Sequence, residues 1–345
     1  MEIKWDLLSK HKEEIYGISI LWIMLLHGLV RGHNGELIST LHVFSELIKH
    51  GNCGVDVFLF LSGICLFFSM KKDSGAISFY KKRCLRILIP YLGITGIYWF
   101  YNNIIVRHDY IMFIKNITQY SFWFGKVHFA WFIGAIFILY SIYPIIFKQL
   151  LIKKEGIFTG NGFLWMIIFI YFLCYFFDCH PYFHDWYKNV EVALTRFPIF
   201  LLGCYCGRYV YDKKKISPTI KLVSFFIILV CIVWFNNRYP IVSLYRIPYF
   251  IFAPCLALWM AIFFEVINNR GLNYFFSHLG KCSLELYLLH MVMQNVTINM
   301  NLYNLDKVVS YNKYLLVCVG GSILIASALN PLFNKVREFL KKIME

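Results

Sequence analysis

The fold is decided by two apolar stretches, IYGISILWIMLLHGLV (Ile15–Val30) and NCGVDVFLFLSGICLFFSM (Asn52–Met70). The first contains His27 near its end, and the second carries Asp56 near its start. If both stretches are transmembrane helices joined by a short loop, these two side chains lie at the same membrane face. A carboxylate beside a histidine fixes the imidazole tautomer and makes a general base. The alternative is that both are interfacial side chains solvated by headgroups and water.

The composition of the whole chain indicates membrane insertion. Of the 345 residues, 59% are hydrophobic and 15% are charged, and the mean hydropathy is +0.59. Soluble domains carry about a quarter charged residues. Thirty-four Phe and 24 Tyr suit a protein with many rings at the membrane interface. The sequence therefore predicts an all-α, polytopic transmembrane helix bundle, with residues 1–345 forming a single integral membrane domain.

Ten apolar segments are candidates for the membrane helices. They lie at 15–30, 52–70, 85–106, 127–147, 162–178, 194–210, 219–235, 248–267, 277–298 and 313–333. Ten spans place both chain termini on the same side of the membrane. Because Glu13 and Glu14 precede the first stretch and no small-x-small site follows it, a cleavable signal peptide is not expected.

The basic residues indicate which side of the membrane holds the termini. The formal net charge is +15, and 23 of the 34 Lys and Arg lie on the side of the termini. Cytoplasmic loops carry the excess of Lys and Arg in membrane proteins. We therefore expect a multi-pass protein of the cell (cytoplasmic) membrane with both termini in the cytoplasm. Since topology explains the charge, no nucleic-acid binding is predicted.

The eleven cysteines do not indicate a metal site. Most lie inside apolar runs, where cysteine behaves as a small apolar side chain. The only close pair, Cys204 and Cys206, is a lone CxC that we interpret as packing. No metal is therefore expected.

The segment FYKKRCLRILIPY (Phe79–Tyr91) brings basic residues to the start of the third span. Arg83 and Arg86 are three residues apart and share a face of the predicted helix. Two guanidinium groups there would suit a polyphosphate ligand. The alternative is ordinary anchoring to lipid phosphates on the cytoplasmic side.

The segment LGKCSLELYLLH (Leu279–His290) places Glu285 and His290 inside the ninth span. Ionisable groups at that depth cost at least about 2.5 kcal/mol each unless they are paired or line a cavity. Both are therefore candidates for substrate binding. A hydrogen bond between helices is the plainer alternative, above all for Glu285.

Two arginines lie on the outer side, where the topology disfavours basic residues. Arg196 begins the sixth span in TRFPIFLLGCYCG, and Arg246 begins the eighth in YRIPYF. Binding of a sugar, a phosphate or a carboxylate would explain them. His128 and Trp131, in VHFAWFI, lie at the outer end of the fourth span and are further substrate-binding candidates. The alternative for Trp131 is the aromatic belt of the membrane interface.

Six segments in order resemble the acyltransferase 3 family: ILWIMLLH, GVDVFLFLSG, FYKKRCLRILIPY, HFAWFI, RFPIFLLG and LGKCSLELYLLH. This family comprises bacterial and animal membrane enzymes of about ten helices that transfer acyl groups to sugars and other hydroxyl acceptors. The resemblance runs from about residue 12 to 335. Its most specific pieces are GVDVFLFLSG and LGKCSLELYLLH.

The resemblance assigns roles to residues of this chain. It implies that His27 is catalytic, that Asp56 belongs to the family's GVD motif, and that Arg83 and Arg86 contact an acyl-CoA donor. The family usually has an arginine eleven positions before the catalytic histidine, where this chain has Tyr16.

Together these features predict a membrane-bound O-acyltransferase. It would move an acyl group, most simply acetyl, from cytoplasmic acyl-CoA to a hydroxyl of an extracytoplasmic or lipid-linked carbohydrate. The expected partners are acyl-CoA, the carbohydrate and the lipid bilayer, with no tightly bound cofactor and homo-oligomerisation left open. Direct transfer is favoured over an acyl-enzyme on His27 or Ser62.

Two other classes of protein remain as alternatives. The first is a polysaccharide or small-molecule transporter, although transporters often consist of two similar halves and no internal repeat is visible. The second is a structural or sensor membrane protein without chemistry.

Overall fold

The computed structural model describes residues 2–31, 47–73, 75–126, 128–148, 160–235, 242–300 and 313–344. These ranges are helical almost throughout, and within them the only extended pairing is an isolated bridge between Lys4 and Lys215. The predicted all-α architecture is therefore confirmed. Most of the loop between the first two predicted spans, and Val127 at the start of the fourth, lie outside the described residues.

The helices are numbered in chain order. They are α1 (Leu7–Lys10), α2 (Lys12–Arg31), α3 (Cys53–Lys72), α4 (Ala76–Val106), α5 (Tyr110–Ile117), α6 (Tyr120–Phe124), α7 (Trp131–Phe147), α8 (Gly160–Cys179), α9 (Pro181–Leu194), α10 (Phe197–Tyr211), α11 (Pro218–Trp234), α12 (Val242–Ile267), α13 (Arg270–Lys281), α14 (Ser283–Asn299) and α15 (Gly321–Met344). The helix α4 contains the π-helical turns Tyr91–Gly96 and Phe100–Val106, and a further π-helical turn, Leu315–Gly320, leads into α15.

Six helical segments within the described residues are long and apolar enough to cross a membrane. They are Cys53–Lys72, Ala76–Val106, Gly162–Cys179, Pro181–Tyr211, Arg246–Ile267 and Leu315–Ile343. The helices α7 and α11 are apolar but shorter. This set supports the predicted polytopic membrane protein.

The helices depart from the predicted spans at three places. The third span begins at Ala76 rather than at 85, so its basic residues lie on the helix itself. The ninth span is divided at Cys282, where α13 ends and α14 begins. The helix α9 lies mostly outside the predicted spans. It begins at Pro181, and the His180 side chain caps it by accepting a hydrogen bond from the Tyr182 amide.

The chain forms two compact units. The first unit contains Met1–Lys12, Asp56–Arg83 and Ile114–Asn268. The second unit contains Glu13–Val55, Cys84–Phe113 and Asn269–Glu345. The boundaries fall inside α2, α3, α4 and α5 and between α12 and α13. That residues 1–345 act as one acyltransferase domain stays a prediction.

In the first unit, α3 and α10 cross at a pair of glycines. A Cβ atom added to Gly63 would lie 2.6 Å from the Cys204 amide nitrogen, and one added to Gly203 would collide with the Phe60 carbonyl. Small residues let membrane helices approach to backbone contact. These glycines end the motifs GVDVFLFLSG and RFPIFLLG, so both motifs encode a helix crossing as well as polar groups.

In the second unit, α2 packs closely on α13, and α14 lies between other helices. A Cβ atom at Gly280 would collide with the Glu13 carbonyl, and one at Gly17 would collide with the Phe276 carbonyl. The helix α14 packs against α15 and against the π-helical turn Tyr91–Gly96 of α4. This packing places α14 where its polar residues contact neighbouring helices.

Two glycines of α13 give a matched test of this packing. We expect Gly280→Ala to destabilise the protein by about 1–3 kcal/mol, because the new methyl group meets backbone atoms of α2. Gly271→Ala, whose site is open apart from the Asn269 side chain at 3.5 Å, should leave stability unchanged or raise it. Thermal unfolding of the purified variants in detergent measures both. A Gly280→Ala protein that melts like the wild type would contradict the crossing.

Candidate functional site

The helices α2 and α14 bring two histidines into contact in the second unit. Nδ1 of His27 lies 2.8 Å from Nε2 of His290, although the residues are 263 positions apart in the chain. Their rings are nearly parallel, with centroids 5.1 Å apart and an interplanar angle of 14°. His290 is fully buried and His27 is half-buried. The two predicted site residues His27 and His290 therefore form one hydrogen-bonded pair.

Hydrogen bonds assign the tautomers of this pair. Nδ1 of His290 lies 2.7 Å from the carbonyl oxygen of Leu286, one turn earlier on α14. Since a carbonyl oxygen only accepts, Nδ1 of His290 carries the proton. In the neutral ring, Nε2 then holds the lone pair and accepts from the Nδ1–H of His27. In neutral His27, Nε2 is therefore the basic nitrogen.

Two further side chains fix the backbone of α2 around His27. The Gln294 side-chain amide donates to the carbonyl of His27 at 3.1 Å, and the Tyr314 hydroxyl donates to the carbonyl of Met24 at 2.6 Å. Gln294 is fully buried. The sequence analysis missed both residues. The available signal for Gln294 was its position four residues after His290, on the same face of α14.

Glu285 lies five residues before His290 on α14 and is buried. Its Oε1 accepts a hydrogen bond from the Asn330 side-chain amide of α15 at 3.0 Å, and Asn330 in turn accepts from Asn334 at 3.0 Å. The hydrogen bond between helices that was one alternative for Glu285 is therefore present. Substrate binding by Glu285 or His290 stays a prediction.

The two predicted donor-binding arginines have different surroundings. Arg83 belongs to the first unit, where its guanidinium group lies 5.7 Å from the Phe79 ring centroid and 6.0 Å from that of Tyr140. Arg86 belongs to the second unit, is exposed, and interacts electrostatically with Glu285. Their donor-binding role stays a prediction.

In the first unit, Asp56 lies with the two arginines that the topology disfavours. An Nη2 donor of Arg246 lies 2.5 Å from Oδ2 of Asp56, and Nε of Arg196 lies 3.6 Å from Oδ1. Asp56, Arg196 and Arg246 are 2%, 5% and 6% exposed. The sequence analysis named a carboxylate among the groups that these arginines could bind. The Asp56 side chain is such a carboxylate. Substrate binding by either arginine stays a prediction.

Aromatic rings pack on both guanidinium groups. The Trp131 ring centroid lies 5.3 Å from the guanidinium carbon of Arg196, and the Tyr249 centroid lies 4.2 Å from that of Arg246. Arg196 also donates to the Val192 carbonyl at 2.6 Å. Trp131 thus has a cation–π partner inside the first unit. We call Asp56, Arg196, Arg246, Trp131 and Tyr249 the arginine cluster.

His128 lies three residues before Trp131. Its Nδ1 accepts from the Ala130 amide at 3.2 Å, and its ring lies edge-on to Phe122 with centroids 6.0 Å apart. Its predicted contact with substrate is not tested by these contacts and stays a prediction. The predicted pairing of His27 with Asp56 also stays a prediction, because these residues belong to different units.

Removal of the Asp56 carboxylate tests the arginine cluster. We expect Asp56→Ala to destabilise the protein by about 3–5 kcal/mol, because both buried guanidinium groups lose the carboxylate that they face. The matched control is Asp73→Ala, since Asp73 pairs with Lys82 at 2.8 Å on the protein surface. Thermal unfolding in detergent should separate the two variants. Equal melting temperatures would contradict the importance of the buried pair.

Comparison with known proteins gives the family of the chain. The family model described as an acyltransferase domain matches residues 17–329. That match includes the histidine pair and the arginine cluster. Neither the curated proteins nor the solved structures contain a match to the chain. Because the matched residues make up most of its length, the chain belongs to the acyltransferase 3 family of membrane acyltransferases.

Proposed function

We propose that this acyltransferase moves an acetyl group from cytoplasmic acetyl-CoA to a hydroxyl of an extracytoplasmic or lipid-linked carbohydrate. The observation that carries the proposal is the hydrogen bond between His27 and His290. It leaves Nε2 of His27 as the basic nitrogen, and acyl transfer to a hydroxyl needs a base. Membership of the family supplies the acyl-transfer chemistry.

His27 would act as base and then as acid in one transfer step. Its Nε2 takes the proton of the acceptor hydroxyl while that oxygen attacks the thioester carbonyl carbon. The carbon–sulfur bond then breaks, and the leaving thiolate takes the proton from the His27 imidazolium. His27 returns to its neutral form, and no acyl-enzyme is required.

His290 would act as a positioning residue for His27. When His27 is protonated at Nε2, its Nδ1–H still donates to Nε2 of His290, which stabilises the imidazolium. This is the function that a carboxylate has in a catalytic triad. His290 keeps its orientation because its own Nδ1–H donates to the Leu286 carbonyl. The pair is therefore set for proton transfer before any substrate binds.

The charge distribution supports the proposed orientation. The excess of Lys and Arg on the side of the termini favours a cytoplasmic position for both termini and for the basic start of α4. Acyl-CoA would approach Arg83 and Arg86 from that side. We assign the cell membrane as the location on the same ground.

The arginine cluster and His128 are proposed to bind the carbohydrate. Guanidinium groups donate several hydrogen bonds in a fixed fork, and aromatic rings such as that of Trp131 offer flat apolar faces to sugars. The burial of Arg196 and Arg246 holds their geometry fixed. These properties suit recognition of hydroxyl and carbonyl oxygens.

Substitution of the histidine pair tests the proposed function. We expect His27→Ala to lower the rate of acetyl transfer by about 10²–10⁴-fold, because the base is lost. His290→Leu should lower kcat with little change in KM, whereas His290→Gln should retain more activity because its side-chain oxygen can accept from Nδ1–H of His27. Transfer of radiolabel from acetyl-CoA to polysaccharide in membranes measures all three.

The control for these variants is His184→Gln. His184 lies in the first unit and contacts the backbone carbonyl of Asp178 at 2.6 Å. Its substitution should leave transfer unchanged. A well-expressed His27→Ala protein with wild-type activity would refute the proposed mechanism, and a His290→Leu protein with wild-type kcat would remove His290 from it.

A further inference from the structure

An arginine of the second unit that the sequence analysis did not single out, Arg337, interacts electrostatically with Glu285. Arg337 follows Asn330 and Asn334 on α15 at helical spacing, which places the three side chains on one face. Asn330 donates to Glu285, so this face of α15 meets the buried carboxylate of α14. Arg337 is half-buried, and its Nε–H is buried without a hydrogen-bond acceptor among the described residues.

The charges around Arg337 include a second arginine. Arg86 of α4, the buried Glu285 and the exposed Glu338 all interact electrostatically with Arg337. Glu285 interacts with both guanidinium groups, and its Oε1 already accepts from Asn330. Two guanidinium groups thus act electrostatically on one buried carboxylate and repel each other. An anion that binds both guanidinium groups would relieve their repulsion and give the buried Nε–H of Arg337 an acceptor.

We propose that Arg86 and Arg337 together bind a phosphate group of the acyl-CoA donor, with Glu285 and Asn330 positioning them. The inference rests on the proposed function. Guanidinium groups bind phosphate oxygens with two parallel hydrogen bonds, and the CoA portion of the donor supplies both a diphosphate and a ribose phosphate. Arg337 lies beyond the residues matched by the family, 17–329, so the match does not assign it.

This site adds Arg337 to the two arginines expected from spacing alone, Arg83 and Arg86, whose donor-binding role stays a prediction. The sequence suggested that Arg83 and Arg86 act together because they share a helix face. Within the second unit the arginine that accompanies Arg86 is Arg337, whereas Arg83 lies over aromatic rings of the first unit. A lipid phosphate has the same chemistry as a CoA phosphate, so the two sources must be separated by experiment.

Direct binding of CoA to the full-length protein tests the site. Wild type, Arg337→Gln, Arg337→Lys and Lys335→Gln are placed in phosphatidylcholine nanodiscs and titrated calorimetrically with CoA, dephospho-CoA and pantetheine. We expect Arg337→Gln to raise the Kd for CoA about tenfold and to leave that for pantetheine unchanged. Arg337→Lys should raise the Kd about threefold, because it keeps the charge and loses the fork. Lys335→Gln, an exposed change on the same helix, should bind CoA as the wild type does.

Three results would overturn the proposal. The first is an unchanged Kd for CoA in a folded Arg337→Gln protein. The second, which applies if Arg337→Gln does not fold, is an unchanged Kd for CoA in Arg337→Lys. The third is a lipid effect in place of CoA binding: phosphatidylglycerol raises the melting temperature of the wild type but not of Arg337→Gln, while both bind CoA equally.

Acetyl transfer measured on the same preparations separates this inference from the proposed function. CoA binding that depends on Arg337 in a protein without transfer activity would contradict the function and support the site. Transfer with an unchanged KM for acetyl-CoA in Arg337→Gln would contradict the site and leave the function intact.

Discussion

The hydrogen bond from the buried Nδ1–H of His290 to the Leu286 carbonyl is the constraint on which the proposed chemistry depends. It makes Nε2 of His290 an acceptor, which makes Nδ1 of His27 a donor, which leaves the lone pair of His27 on Nε2. Polar groups inside a membrane protein are costly without partners, so each of these two hydrogen bonds also stabilises the protein. The same bonds that satisfy buried groups therefore prepare a base.

In the arginine cluster, buried charged groups are paired with one another in the same way as the hydrogen-bonding groups of the histidine pair. Asp56 lies in a helix that is apolar on all sides, and the two arginines that face it come from the starts of α10 and α12. The helix crossing at Gly63 and Gly203 brings α3 and α10 together at backbone distance within the same unit. The glycines and the charged residues of these motifs thus depend on one another, because close packing fixes the side chains that the charges require.

The sequence was informative where a residue conflicts with its surroundings. His27, Asp56, Glu285 and His290 were found because ionisable side chains interrupt apolar runs, and Arg196 and Arg246 because they oppose the charge bias of the loops. The spacing of residues along one helix does not reveal which helices pack together. His290 was therefore not matched to His27. Gln294 and Arg337 were missed since their significance depends on residues of other helices.

The central claim is that His27 carries its proton on Nδ1 and has Nε2 as its basic nitrogen. The most direct measurement is ¹⁵N NMR of histidine-labelled protein in nanodiscs above neutral pH, with the His27 and His290 signals assigned by comparison with His27→Ala and His290→Gln. We predict Nδ1-protonated tautomers for both rings in the wild type, with the two rings coupled through a hydrogen bond. A His27 signal in the Nε2-protonated form would contradict the account.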